Sequence, residues 1–207
     1  MQGAFIKVSL LIVLHAIMGS YYSQAQTTCP SGYQFRQLCG DILINNSPCH
    51  VCVHTCVRQV GNVVDVIFMG AEFHQGCAVG TNLADASILN QLNDMVLTIA
   101  ADEWNLNPFV NMPYCASQAV SYFEINVSAV SCYRKASDGS NVIISACPTN
   151  EGNFVCKATY KVCRDEQLKI RKTLVSKDPP PANACPAAPD WIVPIGPFQS
   201  PCMPYCF

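Results

Sequence analysis

The sequence predicts an α+β domain: a long helix packed on a roughly four-stranded antiparallel meander, with a disulfide-rich segment before it and a proline-rich tail after it. Three observations carry this. Fourteen cysteines are spread along a chain of 207 residues, which approaches the density of a disulfide scaffold. Between Leu83 and Trp104 apolar residues recur near every 3.6 positions. After Ser121 apolar and polar residues alternate in short runs separated by turn residues.

The chain opens MQGAFIKVSLLIVLHAIMGSYYSQAQ. Lys7, the apolar run from Val8 to Met18 and the small residues Ser23 and Ala25 together read as a signal peptide, residues 1–25, cut after Ala25. The run is about 12 residues, short of the ~20 that a spanning helix needs. No later stretch is long and apolar enough to cross a bilayer. The expected location is therefore secreted or extracytoplasmic, with a domain over 26–177 and a tail over 178–207. Export implies oxidising surroundings, so the default for Cys29, Cys39, Cys49, Cys52, Cys56, Cys77, Cys115, Cys132, Cys147, Cys156, Cys163, Cys185, Cys202 and Cys206 is disulfide bonding.

The cysteine-rich segment, 27–77, contains CHVCVHTC at 49–56. As a strand it places Val51, Val53, Thr55 and Val57 on one face, which suits their β-branching. As a helix it places Cys49, Cys52, Val53, Cys56 and Val57 on one face. Ser47 then serves as N-cap, Pro48 as the first helical residue and Gly61 as the stop. The caps favour the helix. On it His50 and His54 sit one turn apart, the spacing of a pair that shares a zinc ion. Cys49-His-Val-Cys52 stands at the helix start, where thiolate is stabilised, as in thiol–disulfide oxidoreductases.

The second part, 81–176, begins with the long helix. Leu83, Ile88, Leu89, Leu92, Met95, Val96 and Ile99 form its apolar face, Asn82 can cap it and Pro108 ends any continuation. Ser121–Ser131 alternates Phe123, Ile125, Val127 and Ala129 against polar neighbours. SDGS at 137–140 is a turn before NVIISAC. Phe154, Cys156, Ala158, Tyr160 and Val162 alternate with Lys157, Thr159 and Lys161, and Leu168 and Ile170 with Lys169 and Arg171. Such alternation predicts an antiparallel sheet with one wet face, and the helix is the natural cover for the other. The tail holds nine of the 14 prolines and three cysteines. It cannot form regular structure at Pro179-Pro180-Pro181, yet Trp191, Ile192, Val193, Ile195 and Phe198 are too apolar for a free linker. A segment strapped onto the domain by disulfides is expected.

The formal net charge is −2, which excludes a dedicated nucleic-acid binder. Lys157, Lys161, Lys169 and Arg171 fall on the wet face and form a candidate site for an anionic glycan or an acidic protein surface. Asn126-Val-Ser128 and Asn45-Asn-Ser47 fit glycosylation acceptors, the second weakened by Pro48. No catalytic serine elbow, metalloprotease helix or phosphate loop is present. The reading is an exported, disulfide-stapled, non-catalytic binding or structural module without a cofactor. The alternatives are a metal-binding protein through His50 and His54 and an oxidoreductase through Cys49 and Cys52.

Overall fold

The computed structural model describes residues 29–61, 63–103, 114–115, 123–130, 132–146, 154–167, 170–178, 196–199 and 203–204. The expected signal peptide lies outside them. The cysteine-rich segment forms the three longest consecutive strands: β1 (Gln34–Ile44), β2 (Ser47–Val60) and β3 (Val63–Phe73). A 3-10 turn, His74–Gly76, leads towards α1 (Ala86–Glu103). Then come β4 (Phe123–Val130), β5 (Cys132–Asp138), β6 (Val142–Ala146), β7 (Phe154–Arg164), β8 (Ile170–Asp178) and two short strands, β9 (Pro197–Gln199) and β10 (Met203–Pro204). All ten strands belong to one mixed sheet. This corrects the expected fold class: the molecule is predominantly β, not a helix on a four-stranded meander.

The helix expected at 49–56 is also corrected. Ser47–Val60 is a strand of 14 residues. Asn45 and Asn46 both take left-handed φ, 51° and 63°, as the primed two-residue hairpin turn requires. Ser47 and Pro48 therefore begin a strand instead of capping a helix, a position where proline is tolerated. Gly61, at φ +60°, ends β2 as a turn residue. The helical pattern had a physical source. Val51, Val53, Thr55 and Val57 are buried in the core on one face, while Cys52 and Cys56 are buried on the other. Cys52 is bonded to Cys39 and Cys56 to Cys29. Apolar residues on both faces hide the period of 2.

β3 is the hub of the sheet. One edge pairs with β2 along its length. The other pairs first with β4, in parallel, and from Gly70 onward with β6, antiparallel. The sheet therefore forks, with β4-β7-β8 on one arm and β6-β5 with β9 and β10 on the other. At the fork the β2–β3 ladder slips between His54 and Thr55, leaving Met69 unpaired. There the Tyr133 hydroxyl donates to the Phe68 carbonyl at 2.8 Å. The parallel β3–β4 pair has a simple cause: α1 lies between them in sequence, and a crossover helix returns the chain in the same direction.

α1 packs on β1 to β4 and buries Ile88, Leu92, Val96 and Ile99 against Ile42, Ile44, Val53, Val66 and Phe68. It starts three residues after Leu83, which is buried ahead of it. Asp85, not Asn82, caps it: its Oδ1 accepts from the Ser87 N–H at 2.8 Å. Ile125, Val127 and Ala129 on β4, and Ala158, Tyr160 and Val162 on β7, are buried on the inner face, as their alternation predicts. The SDGS turn joins β5 to β6, with Asp138 Oδ1 accepting from the Ser140 and Asn141 N–H groups. Those backbone bonds, Asn141 first, hold the Asp138 carboxyl below its usual pKa despite some desolvation. In the tail, β9 and β10 pair with β5. The side chains of Cys132, Cys147, Cys156, Cys185, Cys202 and Cys206 lie outside the described residues.

Candidate functional site

The outer face of β1, β2 and β3, away from α1, gathers polar side chains into rows. Alternation along β2 sends His50, Cys52, His54 and Arg58 outward. Register then sets their neighbours. Asp41 of β1 lies opposite His50, and Cys39 opposite Cys52. On β3, Glu72 lies opposite Cys52 and Gly70 opposite His54. His74, just past β3, brings its ring to 5.4 Å from that of His50. Thus His50, His54 and His74, which are the histidines beyond residue 25, share one patch with Asp41 and Glu72.

His50 Nδ1 stands 2.9 Å from Asp41 Oδ1. An ionised carboxylate only accepts, so Nδ1 is the donor, and Nε2 carries the lone pair whenever the ring holds a single proton. The His74 Nε2 atom is buried without a hydrogen-bond partner among the described residues. His54 packs its ring against Phe35, with centroids 5.8 Å apart. Burial lowers the His54 pKa; the Glu72 carboxylate opposes this and His74 adds to it.

Two sequence-derived sites do not survive the strand. His50 and His54 are four residues apart, roughly 13 Å along a strand at ~3.3 Å per residue, and cannot hold one ion. Cys49 and Cys52 point to opposite faces and are bonded to Cys77 and Cys39 respectively, so they do not form a C-x-x-C dithiol. The ligand-type atoms of Cys39, His50 and Cys52 do cluster within 4.8 Å. The two sulfurs are joined to each other, however, and offer no thiolate. A fourth disulfide, Cys115–Cys163, fixes the 114–115 segment to β7.

Further along the same face a second row crosses four strands. Arg58, Asp65, Asn126 and Thr159 are register partners. Arg58 donates to Asp65 Oδ2 at 2.7 Å, Asn126 Nδ2 to Asp65 Oδ1 at 3.2 Å, and the Thr159 hydroxyl to Asn126 Oδ1 at 2.9 Å. The Arg58 guanidinium also sits 4.6 Å above the Tyr33 ring. Burial, then the Asp65 carboxylate, push the Tyr33 phenol above its usual pKa. Asn126 is 8% exposed, with both amide atoms engaged in mid-strand. It is not an accessible glycan acceptor, which corrects that expectation.

The basic strip is interleaved with acids. Glu124 lies opposite Lys161 and Asp178 opposite Lys157. Arg171 is ion-paired to Asp165 at 2.8 Å. Lys169 lies outside the described residues. A ligand anion would compete with these carboxylates.

A cleft of about 600 Å³ opens between the Asn45–Asn46 turn and the start of α1. Asn45, Asn46, Thr81, Asn82, Asp85 and Ser87 line it, with Leu43 and Ile88 as apolar wall. Gln91 closes one side. Its amide pairs with the Leu43 backbone in both directions, accepting from N–H at 2.7 Å and donating to C=O at 3.0 Å. Sequence reasoning missed the cleft because it joins two segments about 40 residues apart. It missed Asp41, Glu72 and His74 for a related reason. Asp41 was within reach: reading Asn45-Asn46 as a two-residue turn places it opposite His50. No family model matches the chain, and neither does any curated protein or solved structure.

Proposed function

We propose that the chain is an exported, disulfide-stapled binding module without catalytic activity, and that it takes a neutral, hydroxyl-rich ligand, such as a glycan terminus, in the cleft beside α1. The observation that carries this reading is the lining. Three asparagines and two hydroxyl residues offer donors and acceptors side by side, which suits adjacent hydroxyls. The volume falls within the ~300–1,000 Å³ of small-ligand sites. Asp85 is the one charged group in the lining, and it disfavours an anion. The acids interleaved with Lys157, Lys161 and Arg171 argue in the same direction against an anionic partner on the strip.

Four disulfides support the extracellular setting. No helix among the described residues is long and apolar enough to cross a membrane. The eight described cysteines are all bonded, so none of them supplies a thiolate nucleophile.

The test is a glycan array probed with the native chain and with a doubly substituted chain, Asn45→Gly and Asn46→Gly. Glycine accepts the left-handed backbone of the turn, so the hairpin is kept while both amides are removed. At least a tenfold loss of binding is expected. Equal binding by the two proteins, or binding by neither, overturns the proposal.

A further inference from the structure

We propose that His50 and His74 together bind a late first-row divalent cation, with Asp41 orienting His50 from behind. Three independent observations converge on these residues. The first is the orphaned nitrogen. A buried polar atom without a partner forfeits its hydration, and in a native protein it calls for an explanation such as a water or an ion. Arg58, Asn93 and Arg164 also carry one such atom each, but each of those side chains has another partner: Asp65, the Tyr160 hydroxyl and the Tyr114 ring. His74 Nε2 instead lies on an imidazole whose nearest ring neighbour is another imidazole.

The second observation is the distance. A metal–nitrogen bond of ~2.0–2.1 Å places a ligating ring centroid about 3.2 Å from the ion, so two imidazoles on a tetrahedral ion have centroids about 5.2 Å apart. The His50 and His74 centroids are 5.4 Å apart. The third is the carboxylate on His50 Nδ1. It fixes the tautomer, frees Nε2 and raises its basicity, the usual outer partner of a metal-bound histidine.

The support is rigid. β2 carries His50 in register with Asp41 of β1, the Cys39–Cys52 bridge ties β1 to β2 in the next row, and Cys49–Cys77 anchors the chain just beyond His74. Two imidazole ligands favour Cu²⁺ over Ni²⁺ and Zn²⁺ in raw affinity, whereas the tetrahedral spacing suits Zn²⁺. The bonded sulfurs of Cys39 and Cys52 are not ligands, and His54, one row further on, is outside the set. Water supplies the remaining positions.

The experiment is calorimetric titration of the full disulfide-bonded chain with Cu²⁺, Ni²⁺ and Zn²⁺ salts. One ion per chain is expected. His50→Gln and His74→Gln should each weaken Cu²⁺ binding at least tenfold, Asp41→Asn should weaken it about 10–100-fold as an outer partner does, and His54→Gln should leave it within about threefold. Unchanged binding by the His50/His74 double variant overturns the proposal, as does a loss with His54→Gln equal to that with His74→Gln. A footprint of the native chain avoids any folding defect of the variants. Zn²⁺ should protect the exposed His50 from diethylpyrocarbonate, read by peptide mass, and leave the labelling of His54 unchanged. Equal labelling of His50 with and without Zn²⁺ refutes it. Neither readout depends on the cleft or on a glycan.

Discussion

Two polar rows on one face of the same sheet make opposite uses of their side chains. In the row Arg58–Asp65–Asn126–Thr159, register brings each group opposite a complement, and three hydrogen bonds link the four side chains into a chain. In the row Asp41–His50–His74, one hydrogen bond is made and a buried nitrogen is left over. Both rows lie on the same face of the sheet and both pass through β2. The difference lies in the end members. A polar row that closes on itself holds strands together; one that stops short at a lone pair has a donor to offer something else. Substitutions should separate the two rows by the property they damage.

The largest effect is expected at Asp65. Asp65→Ala leaves the Arg58 guanidinium and the buried Asn126 amide without their shared acceptor. Stranding the buried Asn126 amide should cost about 1–3 kcal/mol, which for a domain of this size lowers Tm by roughly 2–12 °C. Asp65→Asn retains one acceptor oxygen and should cost less than half as much. Thermal unfolding with the disulfides intact measures both. If the two variants are equally stable, the row is not a connected network.

At the other row the same measurement should report little. His50 is exposed at the surface and its bond to Asp41 is an exposed pair, a type that contributes ~0.2–1 kcal/mol. His50→Gln should therefore lie within about 1 kcal/mol of the native stability in the absence of metal. A cost as large as that of Asp65→Ala would mean that the histidine row is structural too, and the contrast between the rows would fail.

The contrast also explains what was legible in the sequence. Where one face is wet and the other dry, period 2 is visible, and β4, β7 and the SDGS turn can be read from their own residues. The long helix is legible for the same reason, since its cover is a single apolar face. β2 was misread because disulfides bury Cys52 and Cys56 on the side that should have been wet. Covalent burial leaves no mark on local periodicity. Asn126 fails in a different way. Its alternation correctly put it on the polar face, but only the flanking strands supply Asp65 and Thr159 to close over it. His74 was beyond reach because its position beside His50 depends on the one-residue slip at Met69, which shifts the β2–β3 register. The parallel β3–β4 pair was a matter of topology, settled by α1 returning the chain across the sheet.

The smallest effect sharpens the comparison through pH. His54 closes the histidine patch on the side of the fork. Burial is the main reason its pKa is lowered, the Glu72 carboxylate pulls the other way, and His74 lowers it further. A histidine whose folded pKa lies below its unfolded value of about 6.5 binds fewer protons folded than unfolded. Its contribution to stability is therefore complete above the unfolded pKa and is lost as pH falls through the folded one. The native chain should lose stability between about pH 7 and pH 5, as protonation forces a charge into the site beside Phe35. His54→Gln removes that proton and should lose less over the same interval. Urea midpoints of the two proteins at both pH values give the difference. An equal loss assigns the acid sensitivity to other groups, and a larger loss in the variant shows that Glu72, not burial, governs the ring.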